Sequence, residues 1–242
     1  MPMGQKRTIV SGLILAAALS GAAIGGSSGA ASGARRVPGI VPANFTNKVD
    51  NPFMPWKPGT LFRYKRSEPG AWNPVSVTHR TKRIVGVKCV VVRDVGKLHG
   101  QPQEKSLDWY AQDKKGNVWY FGERSSHFAH GHWIFDAGDS WKSGVRGARP
   151  GIIMEAHPRK GDRYRQEVAR RDNALDTAKV LGFNGTVTVP FGTFHHVLVT
   201  KEFSPVEPGS IDHDFYARGV GELKEVNVKG GEGQSKLVSV TH

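Results

Sequence analysis

The sequence predicts an all-β domain: a single antiparallel curved sheet, closed or half-closed as a half-barrel, barrel or sandwich, of about 10–13 short strands. Three observations carry this. Short segments of alternating or continuous apolar character recur at roughly 8–12-residue spacing. Gly, Pro, Asn or Asp stands in nearly every gap between them. No alternation of strand and helix patterns is visible, and the single helix candidate, residues 168–180 (VARRDNALDTAKV), has poor apolar spacing.

The segments follow in order. Residues 61–65 alternate, and 75–85 alternate loosely before Gly86 turns the chain. Residues 87–95 read as a central strand. Residues 106–112 and 118–122 flank DKKGN, a hairpin turn whose Gly116 suits a positive φ. Further strands are expected at 132–135, 152–155, 162–169, 177–183, 186–190, 195–203, 211–217, 221–228 and 236–241.

Residues 1–34 carry the three parts of a secretory signal peptide: Lys6 and Arg7, then IVSGLILAAALSGAAI, then a Gly/Ala/Ser-rich stretch. The apolar run is shorter than the roughly 20 residues a membrane span wants. The expected mature product is therefore a free, secreted or extracytoplasmic monomer with no transmembrane segment. Residues 35–58 read as an extended N-terminal segment docking through Phe53, Met54 and Trp56. Residues 59–242 read as the β-domain. Cys89, the sole cysteine, allows no internal disulfide and sits in an apolar run as a small buried hydrophobe.

The formal net charge is +13. Such a surface attracts polyanions. In an exported protein these are anionic polymers, acidic polysaccharides or lipid headgroups rather than nucleic acid.

Several segments together resemble a family of exported bacterial proteins usually labelled hypothetical. They are NPFMPWKPGTLFRY (51–64), DWYAQDKKGNVWYFGE (108–123), SWKSGVRGARPGIIMEAHPRKGDRYRQ (140–166), TVTVPFGT (186–193) and FYARGVGE (215–222). The resemblance implies an extracytoplasmic antiparallel β-domain, similar to the curved half-barrels of lipoprotein carriers. It brings no activity and no functional residue.

Four constellations are candidates for chemistry. His127, His130 and His132 lie within six residues and would suit Zn²⁺ or Cu²⁺ if a strand held two of them on one side; the alternative is a solvated hairpin tip. His195 or His196, His213 and Tyr216, converging with Arg165, would suit acid/base work by a lyase or hydrolase on acidic polysaccharide. Glu155 and His157 share a strand face but stand next to Pro158. Nine Lys/Arg residues fall between 142 and 171, with Arg163 and Arg165 on one strand face as an anion-binding stripe.

Finally, the aromatic hairpin carrying Trp109 and Trp119 has rings on both faces. One face must pack the core; the other covers a second layer or lines a cavity for a small apolar or sugar ligand. The leading expectation is an exported β-domain that binds a ligand or anionic polymer. No nucleophile elbow, zinc-protease motif or phosphate loop is present.

Overall fold

The structure, a computed structural model, describes residues 37–183 and 185–242. The signal-peptide reading of residues 1–34 lies outside them. The described chain is all-β. Its strands are β1 (Leu61–Arg66), β2 (Ala71–Ile84), β3 (Val87–Leu98), β4 (Gln101–Gln112), β5 (Val118–Ala129), β6 (His132–Lys142), β7 (Arg149–Met154), β8 (Arg163–Arg165), β9 (Glu167–Val168), β10 (Thr177–Phe183), β11 (Thr186–Val189), β12 (Gly192–His195), β13 (Leu198–Phe203), β14 (Ile211–Ala217), β15 (Gly221–Lys229) and β16 (Gln234–Thr241).

Fourteen strands form one antiparallel sheet in the order β8-β10-β13-β14-β15-β16-β1-β2-β3-β4-β5-β7-β9, with β6 paired to β5 beyond β7. The ends of this path, β8 and β9, are consecutive in the chain and separated only by Gln166. One stretch of backbone therefore pairs with both sheet edges, and the sheet curls into a nearly closed barrel. At this seam β7 crosses so close that a Cβ on Gly151 would lie 2.3 Å from the Arg165 carbonyl oxygen. Only glycine fits there.

The inner face has two zones, because each strand changes from apolar to polar at about the same level. On β3 the inner residues run Val90, Val92, Asp94, and on β13 they run Leu198, Thr200, Glu202. On β4 they run Tyr110, Asp108, Ser106, Glu104, and on β1 Phe62, Tyr64, Arg66. Five buried tyrosines, Tyr64, Tyr110, Tyr120, Tyr164 and Tyr216, belong to the core cluster. Their rings pack with the apolar zone, and two hydroxyls donate to partners on the polar strands.

The N-terminal segment fills the apolar zone. Phe53, Met54 and Trp56 are buried in the core cluster, and Trp56 meets Tyr110 edge-on at 4.4 Å. Two amides fix this plug. Gln112 Oε1 accepts the backbone N–H groups of Asp50 and Asn51. Asn51 Nδ2 donates to the carbonyls of Gly116 and Glu155.

A second cluster lies on the outer side of β2–β5: Ile84, Val87, Cys89, Val91, Trp109, Ala111 and Phe121. Ile40 and Phe45 pack over it, Phe45 edge-on to Phe121 at 5.5 Å. The outer aromatic face of the hairpin therefore covers a second layer.

Three expectations need correction. The strand expected at 162–169 is two, β8 and β9, split at Gln166, while residues 168–180, the candidate of poor apolar spacing, form no helix. They hold β9, a short 3₁₀ turn at Arg170–Asp172 and the start of β10, because Asn173 takes a left-handed φ of 54° and Ala169 bridges Ala174. The run 195–203 is two strands, broken at His196 (φ 53°), so that β12 pairs back onto β11. Third, the strand expected at 132–135 runs on to Lys142.

Candidate functional site: a carboxyl-lined chamber

The polar zone is lined with carboxyls from two sides. β3–β6 present Asp94, Glu104, Asp108 and Glu123, with Asp136 opposite Ser125. β13–β15 present Glu202, Asp212, Asp214, Glu222 and Glu225, with Asp214 directly opposite Glu225 and Glu202 opposite Asp212. Arg66 on β1 stands between the two groups, cross-strand from Ser235, which is itself opposite Glu225. Among the described residues most other Lys and Arg side chains are exposed, so charge is sorted between the lining and the surface.

Burial sets the protonation state of this lining. Lost hydration pushes Asp94 up to about 7, although Asn73 Nδ2 donates to its Oδ2 at 3.0 Å and Arg66 opposes the shift. Burial, with Asp94 and Asp139 nearby, pushes Glu104 up to about 8. Burial also raises Glu202 to about 7, against the Gln166 Nε2 donor at 2.7 Å and a hydrogen bond shared with Asp214. Asp108, Asp214 and Glu222 are raised well above the ordinary carboxylate range, again mainly by burial, then by neighbouring carboxyls.

Asp108 accepts from Ser106 Oγ at 2.7 Å and from the Tyr120 hydroxyl at 3.2 Å. The Tyr64 hydroxyl donates to the Glu222 carbonyl at 3.1 Å. Glu222 Oε1 and the Tyr164 hydroxyl are buried and have no hydrogen-bond partner among the described residues.

Asp94, Glu104, Glu123, Glu202 and Asp212 nevertheless remain only half-buried. Solvent reaches them, so the lining is a chamber wall rather than a sealed core. An apolar core of equal volume would be cheaper to fold. Asp94, Glu202 and Glu104 thus combine solvent contact with pKa values raised to about 7, 7 and 8, a combination that clusters at functional sites.

The apolar zone leaves no comparable room. The void bounded by Phe53, Trp56, Phe62, Tyr64, Tyr216 and Glu222 is about 10 Å³, at the limit of one water.

The sequence-derived candidates lie mostly elsewhere. Tyr216 does face inward, opposite Leu198 and Glu222. His213, three residues earlier, is on the outer face opposite Lys201 and Val226. His195 and His196 are exposed on the separate hairpin, where His195 Nδ1 meets Thr186 Oγ1 at 2.9 Å. The proposed convergence with Arg165 does not form, because strand alternation sends these groups to opposite sides.

Arg163 and Arg165 are exposed on the outside of β8, with the Arg163 guanidinium over Phe203. Trp109 is buried in the outer cluster with Lys82 Nζ 3.9 Å from its ring, and the Trp119 indole N–H donates to Asp113. Trp109 also lines an open groove with Glu123, Phe135 and Arg146, whereas Trp119 packs beside the outer cluster.

His130 and Gly131, both at positive φ, form the two-residue turn between β5 and β6. His130 is thus not extended, and the shared face with His132 is lost. His132 Nδ1 instead meets the His130 carbonyl at 3.0 Å, and His127 Nδ1 lies 4.0 Å from Asp136 Oδ2. Among the described residues no three His, Cys, Asp or Glu side chains gather as a metal site. Glu155 and His157 follow β7, His157 exposed.

Sequence reasoning missed the chamber. The available signal was acidic residues at alternate positions of a strand that otherwise reads as core-facing, as Asp212 and Asp214 in Ile211–Ala217 (IDHDFYA).

No family model and no curated protein matches the chain. Two solved structures do. One is a Bacteroides fragilis protein provisionally classed as exported, with a YmcC-like fold: 13% identity, TM-score 0.37, covering 77% of this chain and 97% of that one. The other is a protein provisionally classed as a lipoprotein, from Parabacteroides distasonis: 13% identity, TM-score 0.43, covering 78% of this chain and 98% of that one.

Proposed function

We propose that the protein is a ligand-binding β-barrel whose chamber takes a molecule bearing ammonium groups. The supporting observation is the inward-facing, solvent-reached set of carboxyls with raised pKa values and one guanidinium, Arg66. A cation brought among them restores the charged form that burial disfavours. It replaces lost hydration with charge-assisted hydrogen bonds. The export signal expected from residues 1–34 would place this activity outside the cytoplasm.

Binding should therefore release protons near pH 7. Calorimetry with spermidine, in two buffers of different ionisation enthalpy, reads that release directly. Octanediol, an uncharged chain, serves as the control. Spermidine should bind with proton release and weaken at least tenfold in Glu202→Gln or Asp214→Asn. Equal binding of octanediol, or no effect of either variant, refutes the reading.

A second reading rests on the hydrogen bond between Glu202 and Asp214. A carboxyl raised to about 7, Glu202, hydrogen-bonded to a second one raised by burial, Asp214, is suited to general acid/base hydrolysis of a bound saccharide. Turnover of a glycoside panel, abolished in Asp214→Asn, would favour it over simple binding.

A further inference from the structure

The outer wall carries a different feature. Beside the barrel seam, Arg146, Arg149, Arg170 and Arg171 line an open groove of about 850 Å³. The β6–β7 loop supplies Arg146, β7 supplies Arg149, and the 3₁₀ turn after β9 supplies the other pair. Asp172 is committed to Arg146 at 3.0 Å and holds it in place. Among the described residues Arg149, Arg170 and Arg171 have no carboxylate partner. Four guanidiniums around one groove repel each other, and that repulsion is relieved by an anion.

The groove continues. Val145 and Arg146 also line a second groove of about 390 Å³ that runs past Phe135, Arg124, Lys82 and Lys142, with Glu123 and the Arg146-paired Asp172 as its carboxylates. Phe135 is 51% exposed, and the Arg124 guanidinium covers one face of its ring at 5.0 Å. Together the two grooves are far larger than a single phosphate or carboxylate. They combine free guanidiniums with an open aromatic face.

We infer that this continuous groove binds an acidic polysaccharide. Guanidiniums pair in forked geometry with its uronate carboxylates, and Phe135 packs against the C–H face of a sugar ring. The grooves share Glu123 with the chamber lining but none of the carboxyls of β13–β15.

The test is fluorescence anisotropy with labelled oligogalacturonate, against the fully methyl-esterified oligomer and a thymidine oligonucleotide of equal charge. The protein is the full chain, with folding of each variant checked by thermal melting. Arg149→Gln/Arg170→Gln/Arg171→Gln should weaken binding at least tenfold and flatten its salt dependence. Phe135→Ala should weaken it several-fold.

Arg163→Gln/Arg165→Gln removes exposed charge elsewhere and should change binding less than twofold. Asp214→Asn, in the chamber, should leave it unchanged, so failure here is distinguishable from failure of the chamber reading. An unaffected triple variant overturns the inference. So does an equal loss in Arg163→Gln/Arg165→Gln, which would indicate net-charge attraction alone. Tighter binding of the oligonucleotide, or equal binding of the esterified oligomer, also overturns it.

Discussion

Gln166 Nε2 donates to Glu202 Oε1 across 2.7 Å. This bond ties the one residue separating the two ends of the sheet to the carboxyl lining of the chamber. Barrel closure and site electrostatics thus share a side chain. Gln166 is fully buried, and its backbone N–H donates to the Asp176 carbonyl at 2.9 Å.

Removing that donor should cost stability in a pH-dependent way. The Gln166 bond favours ionised Glu202, so Gln166→Ala should raise the Glu202 pKa further. A buried acceptor left unpaired costs about 1–3 kcal/mol. Urea denaturation should show a larger loss at pH 9 than at pH 5; equal losses would dissociate the bond from the carboxylate.

The lining as a whole should make the protein more stable in mild acid. Carboxyls raised in the folded state bind protons more tightly there than in the unfolded chain, where they titrate near 4. The folded state is therefore favoured below about pH 4 relative to high pH. That advantage is lost as pH rises through about 7 to 8, the values for Asp94, Glu202 and Glu104. Melting temperatures should fall steadily between pH 5 and pH 9. A rise over that range would show that the inner carboxyls are ionised throughout.

Gly151→Ala should open the seam. Its Cβ would sit 2.3 Å from the Arg165 carbonyl oxygen and 2.5 Å from the Gln166 carbonyl carbon, and backbone cannot swing aside. The expected cost is about 1–3 kcal/mol. Hydrogen exchange should speed up in β7, β8 and β9 before other strands; unchanged protection there would mean that the seam relaxes freely.

Cys89 should be chemically silent until the barrel unfolds. It has no exposed surface, and burial pushes its thiol well above the ordinary value. A thiol reagent should react at the rate of unfolding, and rapid modification of native protein would contradict the packing of the outer cluster.

Much of the fold is legible because strand signals are local. All fourteen expected strand segments overlap observed ones, from 61–65 to 236–241, since alternation and turn residues act within a few positions. The misreading of 195–203 as one strand comes from a single left-handed residue, His196, which is not a glycine. Propensity does not flag such positions. The site was far less legible. Histidines attract notice because they are rare and titrate near neutrality, whereas carboxylates in a basic chain read as solvated.

The sequence by itself determined the period-two strands, the turns between them and the excess of cationic charge, because these follow from neighbouring residues and from counting. Only the tertiary structure decided which face of each strand turned inward, since facing depends on register across strands distant in the chain. Curling the sheet until Arg163–Arg165 and Glu167–Val168 met its opposite edges put the lining carboxyls and Arg66 inside and Arg163 and Arg165 outside. The burial that followed made ordinary acidic residues into groups poised near neutral pH.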